Sequence, residues 1–305
     1  MQMSEFINLT QDENGHKMLI LKGEWNRNVE KALEKGDWEK LVLFGVEWED
    51  YSCLVPYRSK ITWLEVAGGP TSDQYIDKLE FLKRLKLGEE LESATDFRSL
   101  SHLERLEVAL PSKFPMSNLT SPNLKDLRVV GVTEETLESL KSLKFLEKFE
   151  AHKGKLKSLL GIESLTSIQS LTLSNFRNLE SIAGVKELKG LKYIDFESLT
   201  KLQDIEEIKE LKELKKLAID IKKAKINSSA FFGEFKSIEE IQSDVLIEEV
   251  QLIDFLLPKL KTLIVKARLE QAEKDVEEFF NDNNKIIEEI NIFGRNEKLL
   301  EIKFR

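Results

Sequence analysis

The amino-acid sequence predicts an α/β fold of the solenoid type, in which strand–helix repeats stack side by side. A short motif, apolar-x-x-apolar-x-apolar, recurs along almost the whole chain of 305 residues. Between the motifs, segments such as SIAGVKELKGL carry apolar residues three and four positions apart, which is the helical period. We therefore expect a right-handed stack with a parallel β-sheet on the concave face and helices on the convex face.

The middle apolar residue of each motif marks one repeat. Successive markers are 21 to 27 residues apart and are Leu19, Leu41, Leu64, Leu85, Leu106, Leu127, Phe149, Leu171, Ile194, Leu217, Ile241, Leu263 and Ile290. The last two apolar residues of a motif alternate with polar ones, as in a strand with one buried face. A single strand–helix unit cannot bury its apolar face alone, so each unit must stack on its neighbours.

On these motifs the chain resembles the leucine-rich-repeat family, whose period of about 20 to 29 residues includes every step. Many members place asparagine three residues after the last strand residue. Here that position holds residues such as Gly69, Glu90 and Pro111, so the asparagine ladder is missing. The chain is similar to a bacterial-type cytosolic member, and the resemblance implies a horseshoe that binds other proteins through its concave face.

Residues 1–305 are predicted to form a single solenoid domain with a hairpin-like cap at each end. Its N-terminal cap, repeats and C-terminal capping strand are expected at residues 1–37, 38–292 and 293–305. Asn14 and Gly15 lie between two apolar runs, which is a strong hairpin signal. Gly294 also lies between two apolar runs and predicts a second hairpin. Caps at both ends leave no room for an additional domain.

Charge and hydropathy exclude several kinds of partner. The 46 basic and 55 acidic residues give a net charge of -9, which argues against binding to nucleic acid or to an anionic membrane surface. An acidic excess favours a basic protein partner, although it also serves solubility. The sequence contains no run of about 18 apolar residues, so no membrane span is predicted.

The residues needed for catalysis or metal binding do not come together in this sequence. His16, His102 and His152 belong to repeats that are far apart, and no pair has the spacing of metal ligands. Cys53 is the single cysteine, without a histidine nearby, and no phosphate-binding glycine loop is present. We therefore predict a protein without enzymatic activity, metal or cofactor. It is expected to be cytoplasmic, since the chain starts without a signal peptide, and monomeric on its own.

Charged residues alternate in sign along one column of the predicted concave face. Residues at the same position of successive repeats are lateral neighbours in a parallel sheet. The column runs Glu65, Lys86, Glu107, Arg128, Glu150. The favoured interpretation is a ladder of ion pairs that compensate one another, and the alternative is a charge pattern that a partner recognises.

Acidic residues collect on the same face in the later repeats. The candidate partner-binding residues there are Tyr193, Asp195, Glu197, Asp220, Glu240 and Asp244, with only Lys216 to offset the charge. A basic partner surface would justify this grouping, with the tyrosine as anchor, whereas the alternative is a solvated acidic face. Trp63, beside Phe44, is a second candidate anchor, with burial under the N-terminal cap as its alternative.

The sequence therefore predicts a non-catalytic scaffold for protein–protein interaction. Two more specific functions are an immunity protein that neutralises a basic toxin and a phosphatase or signalling regulator of the leucine-rich-repeat type. A bacterial effector that joins such repeats to a ligase domain is disfavoured, because it requires a second domain with a reactive cysteine.

Overall fold

The chain is divided into two compact units. In the computed structural model, the described residues are 6–92, 95–221, 231, 235–243, 259–267, 287–293 and 298–304. The N-terminal unit comprises residues 1–134 and 139–151, and the C-terminal unit comprises residues 135–138 and 152–305. That residues 1–305 form a single domain stays a prediction.

The N-terminal unit is built on a sheet that begins with a hairpin and continues in parallel. Its strands are β1 (Phe6–Gln11), β2 (Lys17–Gly23), β3 (Lys40–Val46), β4 (Trp63–Ala67), β5 (Arg84–Glu90), β6 (Arg105–Ala109) and β7 (Asp126–Val132). Strand β8 (Lys148–Gly154) begins in this unit and ends in the next. β1 and β2 pair antiparallel, and β2 to β7 pair in parallel in chain order. The hairpin predicted at Asn14 and Gly15 is thereby confirmed; Gly15 adopts φ +84°.

The C-terminal unit begins in parallel and ends with a hairpin. Its strands are β9 (Ser170–Ser174), β10 (Tyr193–Glu197), β11 (Lys216–Asp220), β12 (Glu240–Ser243), β13 (Thr262–Ala267), β14 (Ile287–Phe293) and β15 (Lys298–Phe304). β9 to β13 pair in parallel, and the predicted second hairpin is confirmed by the antiparallel pair β14 and β15. However, β15 pairs antiparallel with β13. β14 is therefore not the next parallel strand after β13, as the marker Ile290 had suggested.

One α-helix, α1 (Arg27–Lys35), lies between β2 and β3. Its N-cap is Asn26, whose side-chain oxygen accepts hydrogen bonds from the backbone N–H groups of Asn28 and Val29. The helix ends at Gly36, which adopts the left-handed conformation with φ +64°. The apolar residues of α1 face the core, because Val29 and Leu33 are buried.

The other helices between strands are 3-10 helices. They span Ser52–Lys60, Ile76–Lys78, Phe97–Ser99, Met116–Leu119, Glu138–Leu140, Ile162–Ser164, Val185–Glu187 and Glu206–Glu210. The buried apolar residues around them recur at every third position, as in Ile76, Leu79 and Leu82. That spacing matches the three residues per turn of a 3-10 helix. The predicted helical segments are thus present, but they are tighter and shorter than α-helices.

Successive repeats are joined by a shared backbone acceptor, which we call the carbonyl bracket. The Thr62 carbonyl accepts hydrogen bonds from the N–H groups of Lys83 and Arg84 at 2.8 and 3.0 Å. Equivalent paired acceptors are the carbonyls of Lys83, Glu104, Lys125, Gln169, Lys192, Lys215 and Glu239. Beneath the sheet, fully buried markers such as Leu64 and Leu85 form the core with the 3-10 segments. The repeats are therefore held together by backbone groups and apolar packing.

Candidate partner-binding surface

The charged side chains on the solvent-facing side of the N-terminal sheet form the predicted ladder. Glu107 contacts Lys86 on one side and Arg128 on the other, with N–O distances of 3.6 Å to each. Arg128 also contacts Glu150 at 3.2 Å. The ion-pair interpretation is therefore confirmed for these four residues. Glu65, the first residue of the predicted column, forms its ion pair with Lys40 at 2.9 Å.

A second column on the same side is paired in the same way. Arg105 contacts Asp126 on the adjacent strand at 2.9 Å, and Lys148 contacts Glu150 at 3.4 Å. Exposed pairs of this kind contribute only about 0.2 to 1 kcal/mol each. Their main consequence is that most charges on this part of the surface already have a partner of opposite sign.

Trp63 on β4 lies between two cations of neighbouring strands. The ammonium of Lys40 is 4.7 Å and the guanidinium of Arg84 is 4.6 Å from the ring centroid. His16, in the turn of the N-terminal hairpin, contacts the ring edge-on at a centroid distance of 5.2 Å. Trp63 is half-buried. Both interpretations of this residue are thus met in part, since the cap covers one edge of the ring and the rest stays accessible.

Phe44 lies on β3, beside Trp63, and is the more exposed of the two aromatic residues. Its side chain is 53% exposed, and the Lys22 ammonium lies 5.6 Å from its ring centroid. We call Lys22, Lys40, Phe44, Trp63 and Arg84 the cation–aromatic patch. Sequence reasoning identified its aromatic residues but missed its cations. The signal was available, because Lys40, Trp63 and Arg84 occupy the same position of three successive repeats.

In the C-terminal unit, the structure brings four of the predicted acidic-face residues onto two adjacent strands. Tyr193, Asp195 and Glu197 lie on β10, and Asp220 lies on β11 directly opposite Glu197 in the strand register. Tyr193 is 46% exposed. The Ser174 hydroxyl donates a hydrogen bond to Glu197 at 2.9 Å. We call Tyr193, Asp195, Glu197 and Asp220 the acidic patch.

The other two predicted residues of this face are not part of the acidic patch. Glu240 on β12 forms an ion pair with Lys216 at 2.7 Å, so its charge is compensated. This pair also occupies Lys216, the basic residue that the sequence offered as an offset. Asp244 lies outside the described residues.

Cys53 and a nearby pocket offer chemistry of a different kind. Burial raises the pKa of the Cys53 thiol to about 12, which makes it a poor nucleophile. A cavity of about 300 Å³ is lined by residues that include Tyr51, Asp73 and Glu89. Burial, followed by the charges of Asp73 and Glu89, raises the pKa of Tyr51 above its usual range. The Thr95 hydroxyl donates a hydrogen bond to the Asp73 carboxylate at 2.7 Å, so this acid helps to hold the loop.

The described ranges were also compared with the requirements for a metal site and a membrane span. Within them, no three histidine, cysteine or carboxylate side chains are grouped so that they would hold a metal ion. None of the helices in that part of the chain has the length and apolar character needed to cross a bilayer. The cytoplasmic location stays a prediction.

Comparison with known proteins shows the fold. No protein-family model matches the sequence, and no curated protein matches it either. The structure is similar to that of an internalin, InlF, from Listeria monocytogenes, with a TM-score of 0.52 and 18% identity, over 81% of this chain and 79% of that chain. Internalin C2 of the same organism gives a TM-score of 0.43 and 17% identity, over 67% of this chain and 80% of that one. Internalins are leucine-rich-repeat proteins, and the likeness to InlF, with the repeated strands and 3-10 helices, shows that this chain has the leucine-rich-repeat solenoid fold.

Proposed function

We propose that this protein is a non-catalytic scaffold for protein–protein interaction and that its acidic patch binds a basic surface of a partner protein. Repeat solenoids expose a regular array of side chains on the sheet, which suits them to bind macromolecules rather than small substrates. The acidic patch lies on this kind of surface in the C-terminal unit. An immunity protein that neutralises a basic toxin is one form of this function.

The observation that supports the proposal most directly is the like-charged pair in the acidic patch. Glu197 and Asp220 are lateral neighbours on adjacent strands. Like charges in this position cost stability. Lys216, on the same strand as Asp220, is bound to Glu240. A basic partner would supply the missing opposite charge, and the exposed ring of Tyr193 would supply an apolar anchor.

A crosslinking experiment followed by affinity measurement tests the proposal. A photoreactive phenylalanine analogue at position 193 is used to capture the partner in lysate of the source organism. The same analogue at Phe145, which is 59% exposed in the N-terminal unit, serves as the control. The protein captured at position 193 alone is then purified, and its affinity for the unmodified chain is measured by calorimetry.

Charge reversal then assigns the binding surface. The double variant Asp195→Lys with Asp220→Lys is expected to lower affinity by about tenfold or more, because opposite charges across the interface become like charges. The matched control reverses Glu210 and Glu213, which are exposed but lie outside the strands. Equal affinity of the two double variants would show that the acidic patch does not bind the partner. A captured partner with an acidic surface would also contradict the proposal.

A further inference from the structure

Two basic side chains on the N-terminal sheet differ from the others in what they contact. Lys40, Lys86, Arg105, Arg128 and Lys148 each form an ion pair with a carboxylate on this surface. In the part of the chain that the structure describes, Lys22 and Arg84 contact aromatic rings and lie beyond ion-pairing distance of any carboxylate. The positive charge left without a counter-charge is thus concentrated in the cation–aromatic patch.

The aromatic rings of the same patch are held in place and remain accessible. Cations of the two flanking strands lie over the Trp63 ring, which restricts its rotation. Phe44 offers more than half of its side chain to solvent. A rigid aromatic ring costs little conformational entropy on binding, and tryptophan and arginine are enriched among residues that dominate interface energies. The patch therefore combines an apolar contact area with two available cations.

We propose that the cation–aromatic patch binds an acidic peptide segment of a partner protein, in which an apolar side chain is flanked by carboxylates. The apolar side chain would pack on Phe44 and Trp63, and the carboxylates would pair with Lys22 and Arg84. Arginine suits this role because its planar guanidinium binds a carboxylate through two hydrogen bonds. The inference rests on the proposed scaffold function and adds a second binding surface, whose partner has the opposite charge to that of the acidic patch.

A protein segment fits this surface better than a nucleic acid. Binding to a phosphate backbone requires a broad basic face, because affinity grows with the number of phosphates neutralised. Here the neighbouring positions are acidic or already paired, as Glu65 is with Lys40 and Glu107 is with Lys86 and Arg128. Two available cations beside two aromatic rings match a short segment with few negative charges.

Selection from a random peptide library tests the proposal and does not require the natural partner to be identified first. Displayed peptides of about 12 residues are selected on the full chain and depleted on the variant Lys22→Gln with Arg84→Gln. The surviving peptides are expected to carry aspartate or glutamate next to leucine, phenylalanine or another large apolar residue. Survival of neutral or basic peptides, or survival of none, would overturn the proposal.

A matched pair of arginine variants then measures the effect in solution. Arg84 and Arg105 occupy the same position of adjacent repeats, but Arg105 is bound to Asp126. Arg84→Gln is expected to weaken binding of a selected peptide by about tenfold, whereas Arg105→Gln leaves it within about twofold. Equal losses in the two variants would contradict the assignment. Circular dichroism of both variants checks that the fold is retained.

Three further measurements separate this inference from its competitors. The Asp195→Lys and Asp220→Lys variant should bind the selected peptide like the unmodified chain, so failure of the acidic patch would leave this result unaffected. A single-stranded oligonucleotide that binds the patch more tightly than the selected peptide would overturn the proposal in favour of nucleic acid. Self-association that Arg84→Gln abolishes, seen by sedimentation, would identify a second copy as the occupant and would also overturn it.

Discussion

The solvent-facing charges of the two units follow different rules although they are carried by the same kind of strand. In the N-terminal unit, Lys86, Glu107, Arg128 and Glu150 compensate one another across adjacent strands. In the C-terminal unit, Glu197 faces Asp220, a residue of the same sign. A compensated surface is explained by the stability of the unit alone, whereas a surface that gives up stability requires another explanation. This difference separates structural charges from charges that are available to a partner.

The difference should be confined to the surface, and core substitutions provide the largest test of this. Phe149 in the N-terminal unit and Phe196 in the C-terminal unit are both strand residues with no exposed surface. Replacement of either by alanine should lower the free energy of unfolding by about 3 to 5 kcal/mol, because both leave a large cavity. Urea unfolding measures the two losses. Values that differ by more than about 2 kcal/mol would show that the cores differ in packing as well.

Thiol reactivity tests whether the loops of the N-terminal unit are as closed as its core. The pKa of Cys53 is raised from 9.0 to about 12, so the thiolate is reduced about a thousandfold at neutral pH. Labelling by a disulfide reagent at pH 8 should be at least about a hundredfold slower than in the unfolded chain. The protein in guanidinium chloride is the control. Rapid labelling of the folded protein would show that this loop opens.

Neutralising one carboxylate in each unit should change stability in opposite directions. Glu107→Gln removes the central acid of the ladder and should destabilise the protein by about 0.2 to 1 kcal/mol. Asp220→Asn relieves repulsion with Glu197 and should stabilise it by about 0.2 to 0.5 kcal/mol. Both effects should shrink as salt is added. Glu213→Gln, outside the strands, is the control, and the same sign for the first two variants would refute the comparison.

The smallest expected effect is a difference in how two carboxylates respond to salt. Although burial alone would raise the pKa of Asp12, backbone hydrogen bonds from His16 and Asn14 hold it below its usual 3.8. A hydrogen bond and the charge of Lys261 lower the pKa of Glu239 below 4.5. Both contributions to stability are therefore present above these usual values and are lost as the pH falls through the lowered ones. Salt should move Glu239 back towards its usual pKa more than Asp12, as NMR titration of the carboxyl carbons can measure.

Most of the fold could be predicted from the sequence because strands and repeats leave periodic signals. The markers located the strands from β2 to β13, and the Asn14–Gly15 pair located the first hairpin. The 3-10 helices were taken for longer helices, although triplets such as Val185, Leu188 and Leu191 recur at every third position and favour the tighter turn. The pairing of β15 with β13 was missed, because an apolar triplet does not state the direction of its neighbour.

The surface was less predictable than the core. Alternating charges at fixed repeat positions were enough to predict the ladder, since lateral neighbours in a parallel sheet share a position. The contact of Lys22 with Phe44 depends on the conformation of a long side chain, which the sequence does not specify. The capture of Lys216 by Glu240 had the same cause, since lysine was free to pair with either neighbouring strand.

The carbonyl bracket has a consequence for how such a surface changes over evolutionary time. The second donor in each bracket is the backbone N–H of residues as different as Arg84, Tyr193 and Glu240. Since only the main chain takes part, any residue except proline can occupy these positions without loss of the link. Recognition can therefore be rewritten one repeat at a time while the framework stays the same. For the same reason, side chains at these positions should be exchangeable between repeats by design, which makes the protein a suitable scaffold for engineered binders.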